Sequence, residues 1–297
     1  MSSVALRKAE PAAGTTRGPA RPRRIALVPT LTLLLGAVYC LLPVAWVVIA
    51  STKSGSELFS TFTFWPGTGF ADNVADLSAY RDGVYWQWMG NSALYAGLGA
   101  LLSTCVSAVS GYALAVYRFR GRESLFNVLL AGVLMPPVIL AIPQYLLLAE
   151  ADLTDSYLSV LLPQILSPYG VYLARIYAAA AVPSDVVEAG RMDGAGEWRI
   201  FSRVALPMMV PGLVTVFLFQ FVAIWNNFLL PYIMLSDDEK FPITLGLYTL
   251  LEQGANTPAL YTLVITGAFL AVFPLAALFL VIQRFWSLDL LSGAVKS

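Results

Sequence analysis

The chain of 297 residues has no histidine, only two cysteines and few charges. Without histidine it lacks the commonest general base and metal ligand near neutral pH. The cysteines, Cys40 and Cys105, both fall inside apolar runs. They are expected to be small buried side chains rather than a disulfide framework or a zinc site, and they leave the redox compartment open. Asp, Glu, Lys and Arg together make up 12% of the chain, about half of the roughly 25% usual in soluble domains. The formal net charge is zero, so bulk charge gives no reason to expect a nucleic-acid partner. No G-x-x-x-x-G-K-[ST] phosphate cradle occurs, because neither Lys53-Ser54 nor Lys296-Ser297 follows the required glycines.

Apolar length takes the place of charge. Hydrophobic residues are 58% of the chain and the mean hydropathy is +0.71. A helix needs about 20 mainly apolar residues to cross the hydrocarbon core. Six segments meet that length: Ile25–Ala50, Asn91–Tyr117, Leu125–Leu148, Tyr157–Ala181, Met208–Leu235 and Ala259–Ile282. Prolines in several of them predict kinks, which neighbouring helices tolerate in lipid. The first segment is too long for a signal-peptide core and no small-residue cleavage site follows it, so it reads as a retained span. Residues 1–24 form an expected cytoplasmic tail with little to bury, 25–284 one membrane domain, and 285–297 a second cytoplasmic tail.

With six spans, fifteen of the 18 Lys and Arg residues fall on one side, and only Lys53, Arg81 and Lys240 on the other. The basic side is cytoplasmic by the positive-inside rule, which places both ends inside. Residues 51–90 then form the main external loop, with Trp65, Tyr85, Trp86 and Trp88 suited to the membrane interface.

The cytoplasmic loop 182–207 is longer than a connector requires. Pro183, Ser184 and Asp185 start a helix, with Asp185 and Glu188 spaced as an approximate capping box. Gly194 and Gly196 break it near Met192, and a second helix resumes at Glu197 with Trp198 and Phe201 on one face. Two readings stand on these residues alone: a structural connector, or a helical knob docking onto a partner.

The spacing of Glu188, Ala189, Gly190, Gly194, Val204, Leu206 and Pro207 resembles the cytoplasmic loop of permeases from ATP-binding-cassette importers. Gly190 stands where a third Ala is usual and Val204 where Ile is usual. Asn91-Ser92 looks like that family's usual entry to its second span. Tyr112 to Gly121, Met135-Pro136 with Ile142 to Tyr145, and Trp225 to Leu229 resemble its sugar-importing branch, and the tail from Gln283 to Lys296 resembles the ending of the maltose-type second permease. Asp289 departs from that tail's usual Gly.

The resemblance implies an all-α membrane protein of six transmembrane helices with the type I importer permease fold, in the bacterial cytoplasmic membrane. It implies that Glu188, Ala189, Gly190, Arg191, Asp193 and Gly194 form a coupling helix against a separate ATPase. It implies that Gly293, Ala294, Val295 and Lys296 reach between the ATPases. The implied partners are a second permease subunit, two cytoplasmic ATP-binding subunits carrying ATP and Mg, an extracytoplasmic sugar-binding protein or lipoprotein, and lipid. No cofactor would be bound by this chain.

Polar side chains at membrane depth usually face a bundle interior or a cavity. Gln144, Gln220, Asn226 and Asn227, with Tyr145 and Trp225 as stacking platforms, are therefore candidates for a sugar pathway; Gln164 and Tyr169 are further ones. Interhelical hydrogen bonding is the competing role for each. A non-sugar solute remains an alternative, as does an ATP-independent carrier. A membrane-embedded enzyme is disfavoured, since no His, carboxylate pair or activated nucleophile lies in the spans.

Overall fold

The computed structural model describes residues 27–254, 257 and 259–294, and side chains among them up to residue 283. The expected N-terminal tail lies outside the described residues, as do Val295 and Lys296. Residues Met1–Ala45 and Trp46–Ser297 are separate compact units. The first contributes most of helix α1 (Leu27–Ala50), an uncharged apolar run of 24 residues containing Pro43.

The second unit is helical throughout its described residues. Two short helices, α2 (Gly55–Ser60) and α3 (Phe70–Ala79), occupy the expected external loop. A turn with three successive left-handed residues, Arg81, Asp82 and Gly83, leads into α4 (Val84–Val116). There follow α5 (Arg122–Leu134), α6 (Pro137–Glu150), α7 (Tyr157–Ile165), α8 (Pro168–Ala181), α9 (Ser184–Met192) and α10 (Glu197–Ile200). One π turn, Phe201–Ala205, joins α10 to α11 (Leu206–Trp225). The chain ends in α12 (Leu229–Met234), α13 (Ile243–Gly254), α14 (Ala259–Leu270) and α15 (Val272–Ala294).

Among the described residues, four helical stretches are long and apolar enough to cross a bilayer alone: Leu27–Ala50, Phe70–Val116, Glu197–Trp225 and Ala259–Gln283. The expected third span is instead two helices, α5 and α6, meeting at 103°. Pro136 and Pro137 account for this. Proline removes a backbone donor and forces its predecessor out of the helical region, and Met135 and Pro136 are both extended, with ψ of 128°. The expected fourth span is interrupted at Leu166 and Ser167 ahead of Pro168, and α9 then turns away by 75°. Six crossings result when each bent pair counts as one span.

α4 is the central helix. Its buried face carries Gly99, Ser103, Ser107 and Gly111, each four residues after the last. Four-residue spacing stacks them on one side, and small side chains let α8 and α11 approach closely. Two apolar clusters flank this stripe. One surrounds Trp88, Tyr95, Trp225 and Ile243. The other surrounds Tyr112, Ala174, Ile200, Phe201 and Met209 at the opposite end of α4.

Tyr85 and Trp88, expected at the membrane interface, are instead buried, with Trp88 1% exposed. Each hands its polar atom to a backbone carbonyl, the Tyr85 hydroxyl to Gly267 and the Trp88 indole N–H to Asp238. Trp65 and Trp86 are exposed as expected. Both cysteines are free and exposed rather than buried. An apolar stretch in lipid is apolar on its outer side too, so apolar neighbours in sequence do not imply burial in protein.

Candidate functional site

The loop between α8 and α11 is a helix, a tight turn and a second helix. α9 begins after Pro183 with no side-chain cap. The expected capping box is absent, because Pro183 is the N-cap and Asp185 lies inside the helix, where it accepts the Ser184 hydroxyl at 3.2 Å. Asp185 remains in the first turn, where the helix dipole favours a negative charge. At the other end Gly194 adopts φ of 74°. Its N–H donates to the Arg191 carbonyl and the Ala195 N–H to the Gly190 carbonyl, both at 3.0 Å. This is the left-handed helix stop that glycine makes cheaply.

Two contacts fix the second helix against the first. A Cβ on Gly190 would meet Ile200 at 3.2 Å, so glycine lets the two helices close on each other. The Arg191 guanidinium grips Glu197 with Nε at 2.7 Å and Nη2 at 3.2 Å. The Tyr117 hydroxyl, just past the end of α4, donates to the same carboxylate at 2.9 Å. The Arg191 and Tyr117 hydrogen bonds hold the Glu197 carboxyl below the usual carboxylate range. Val187, Ile200 and Phe201 are buried with Tyr112, Ala174 and Met209. The turn is thus rooted in the end of the bundle rather than draped across it.

The outer surface of this rooted turn is open. Glu188, Ala189, Asp193 and Gly194 are exposed. Met192 is 89% exposed and Trp198 70%. Trp198 and Phe201, expected on one face, divide the work: Phe201 enters the core and Trp198 lies over it, ring centres 5.4 Å apart. Sequence reasoning missed Met192, whose signal was a long apolar side chain at the break of an otherwise polar helix. Of the six predicted contact residues, the structure gathers all into this turn, but Gly190 packs against Ile200 and the exposed Arg191 is engaged with Glu197.

The π turn explains the end of the motif. Pro207 has no N–H for the usual helical bond, and the Leu206 N–H reaches back to Phe201, one residue further than in an α-helix. Such single π turns recur at functional sites.

A cavity of about 330 Å³ opens where the breaks α5/α6, α7/α8 and α11/α12 converge. Gln144, Gln164, Ser167, Tyr169, Gln220 and Asn227 supply its polar lining. The Gln220 amide donates to the Ser167 hydroxyl at 2.7 Å, while the Asn227 side-chain oxygen accepts the Leu230 N–H in the first turn of α12. Ser167 was not singled out in the sequence. Three candidates lie elsewhere. Trp225 is buried and stacks on Phe221 at 5.7 Å, so it is a core residue. Tyr145 is exposed and does not line the cavity. Asn226 is exposed and bonds its own helix through the Val222 carbonyl at 2.8 Å. Gly293 and Ala294 fall in the last turns of α15.

At the opposite end of α4 one face of the helix captures the loop between α12 and α13. Gln87 and Asn91 donate to the Glu239 carbonyl, Asn91 also to that of Phe241, and Tyr95 to that of Lys240. The Ser92 hydroxyl accepts the Ile243 N–H at 2.7 Å. Asp155 accepts the N–H groups of Ser236 and Asp237, both at 3.0 Å.

These features define a helical, multi-pass membrane protein with a helix-turn-helix projecting from one end of its bundle. The same architecture occurs in a bacterial ABC transporter that imports the acidic polysaccharide alginate. The match has a TM-score of 0.76 at 23% identity and covers 91% of this chain and 99% of that one.

Residues 103–288 match the family of binding-protein-dependent transport system inner membrane components, and the chain belongs to that family. It is 34% identical over 263 residues to the arabinooligosaccharides transport system permease protein AraQ of Halalkalibacterium halodurans, across 88% of this chain and 92% of that one. It is 32% identical to the lactose transport system permease protein LacG of Rhizobium radiobacter, across 93% and 98%. The chain is therefore a multi-pass cytoplasmic-membrane transport subunit and not an enzyme, with the type I importer permease fold.

Proposed function

We propose that this chain is one of two permease subunits in an ATP-driven importer of a sugar or oligosaccharide. A binding protein outside the membrane would deliver the solute. Two cytoplasmic ATPases, holding ATP and Mg, would drive transport. The solute class rests on relatives named for arabinooligosaccharide and lactose transport. The orientation rests on the charge bias: Lys53, Arg81 and Lys240 face out, the α9–α10 turn faces in, and the chain crosses six times.

The observation that carries the coupling role is the combination of a rooted turn with an open apolar surface. Met192 and Trp198 stand in water beside Glu188 and Gly194, while Ile200 and Phe201 anchor the same turn to α4, α8 and α11. A large exposed apolar patch on an otherwise packed element marks a docking surface. An ATPase seated there pushes on a body that cannot flex independently. Closure of the ATPases on ATP then favours whichever permease state fits the closed pair, a population shift set by differential affinity.

The solute path runs past the cavity at the three helix breaks, where Gln144, Gln164, Gln220 and Asn227 offer amide groups to hydroxyls. Backbone freed from helical bonding at membrane depth is tolerated where it lines a cavity or is covered by protein. A non-sugar solute is the second reading, supported by 26% identity to the sn-glycerol-3-phosphate transport system permease protein UgpE of Salmonella choleraesuis.

The test is uptake of labelled arabino-oligosaccharides, lactose and glycerol 3-phosphate in cells carrying the complete importer. Sugar uptake is lost on deletion of this chain and restored by the wild type. In a background lacking Cys40 and Cys105, Met192→Cys cross-links to the ATPase and stays shielded from impermeant thiol reagents in intact cells. Labelling of that cysteine from outside would overturn the orientation.

A further inference from the structure

Lys53, immediately after α1, is only 2% exposed. Its ammonium donates one hydrogen bond, to the Phe62 carbonyl at 2.8 Å. An ammonium has three donors, and no carboxylate among the described residues lies within ion-pair distance of this one. The nearby Glu57 carboxylate is held below its usual range mainly by Ser54, whose N–H and hydroxyl reach Oε2 at 2.9 and 3.0 Å, and to a lesser extent by the Lys53 charge, with which it makes no direct ion pair. Buried charges are ordinarily paired, because desolvation without a partner is costly.

The segment holding the lysine is built, not loose. The buried Asn73 amide donates to the carbonyls of Ser51 and Lys53 at 2.9 and 2.8 Å. The Thr52 hydroxyl and carbonyl accept the N–H groups of Gly67 and Gly69, at 2.9 and 2.8 Å. Beside the lysine opens a cavity of about 320 Å³, walled by Trp46, Phe59, Tyr261 and Ile265, with Thr63 as a second polar group. Phe59 and Tyr261 meet edge to face at 6.0 Å.

We infer that this cavity binds the phosphate of an anionic phospholipid in the outer leaflet. The argument takes from the proposed function only the outward position of Lys53. The ammonium supplies two free donors to phosphate oxygens, which form strong charge-assisted bonds. Thr63 is available for a third. Trp46 and Ile265 give the glycerol and acyl portion an apolar wall, which a soluble phosphate does not use. The site lies where α1 ends and α14 begins, the depth at which headgroups meet aromatic side chains.

The experiment compares the complete importer, purified in mild detergent, by native mass spectrometry after incubation with phosphatidylglycerol or phosphatidylcholine. Wild type retains phosphatidylglycerol in preference. Lys53→Met lowers that retention about tenfold or more, as loss of charged hydrogen bonds implies. Ile265→Trp, which fills the cavity and leaves the lysine in place, lowers it as well. Equal retention by wild type and both variants overturns the inference, and so does equal retention of the two lipids. Displacement of the lipid by glycerol 3-phosphate at equal concentration also overturns it, by showing that the phosphate alone suffices. The readout needs no transport, so a wrong solute or coupling role leaves it unaffected.

Discussion

Replacing Asn91 by alanine is the sharpest test of the polar latch between α4 and the loop before α13. Asn91 is buried and makes three hydrogen bonds. It donates to the Glu239 carbonyl at 2.7 Å and the Phe241 carbonyl at 3.0 Å, and it accepts the Tyr157 hydroxyl at 3.1 Å. Truncation leaves three groups without this partner. The Glu239 carbonyl keeps the Gln87 amide at 2.9 Å, so the main losses fall on Phe241 and Tyr157. Tyr157 is 37% exposed and turns to water, so the cost to the loop falls on the buried Phe241 carbonyl, and a buried polar group left unpaired costs about 1–3 kcal/mol. Because the loss is local, residues 236–243 open at correspondingly lower free energy. Their amide exchange then quickens by about 5- to 150-fold, at a factor of ten for each ~1.4 kcal/mol. Exchange mass spectrometry on the intact complex reads this directly, and Asn91→Asp, which puts a carboxylate against two carbonyls, accelerates exchange further. Unchanged exchange over 236–243 in Asn91→Ala would refute the latch.

Gly194→Val places a branched side chain at φ of 74° and costs about 1–2 kcal/mol of backbone strain; Gly194→Asn costs less, and thermal melts of the two variants give the order. Glu197 has a depressed carboxyl pKa, so its bonds to Arg191 and Tyr117 add stability above the ordinary carboxylate pKa and lose it as pH falls through the lower, folded value. Melts against pH therefore show wild type exceeding Arg191→Met near neutrality, with the difference shrinking in that acid window. Trp198→Ala removes an exposed ring; membrane abundance stays at wild-type level while uptake falls, and intact uptake would count against docking at that surface. Gln220→Leu alters solute preference with modest loss of stability, whereas Trp225→Ala lowers stability by about 3–5 kcal/mol, as expected for a ring stacked in the core.

Span lengths were legible because lipid imposes a length on any apolar helix. The break between α9 and α10 was legible because Gly194 and Gly196 sit at the end of a helical pattern. The sharp corner at Met135–Pro136 was visible only as prolines: a proline kinks a helix or parts it according to what its neighbours provide, which no local stretch of sequence records. The latch was invisible for a related reason. Asn91 and Phe241 are 150 residues apart, and nothing in either segment names the other. Trp88 and Tyr85 misled because an aromatic near a span end suits the bilayer interface and a buried hydrogen-bonded niche equally well. The loop motif outlined the candidate surface, but Gly190 and Arg191 turned out to serve the turn itself, leaving Met192 and Trp198 to present the apolar face.

α4 touches both specialised ends of the molecule. Its first turns grip the loop at residues 236–243, and Tyr117 at its far end holds Glu197 of the turn. At about 1.5 Å per residue, its 33 residues make a strut of about 50 Å with no proline along it. A stiff strut tied at both ends carries axial displacement with little loss. Any coupling between the two faces is bound by thermodynamic reciprocity: whatever factor an event at the loop imposed on affinity at the turn, an event at the turn would return to the loop unchanged. Lengthening α4 by one residue would rotate one end by about 100° against the other. The same rotation would turn half of the Gly99–Ser103–Ser107–Gly111 stripe away from α8 and α11, so the register of the two ends and the packing of the bundle are set by one helix together.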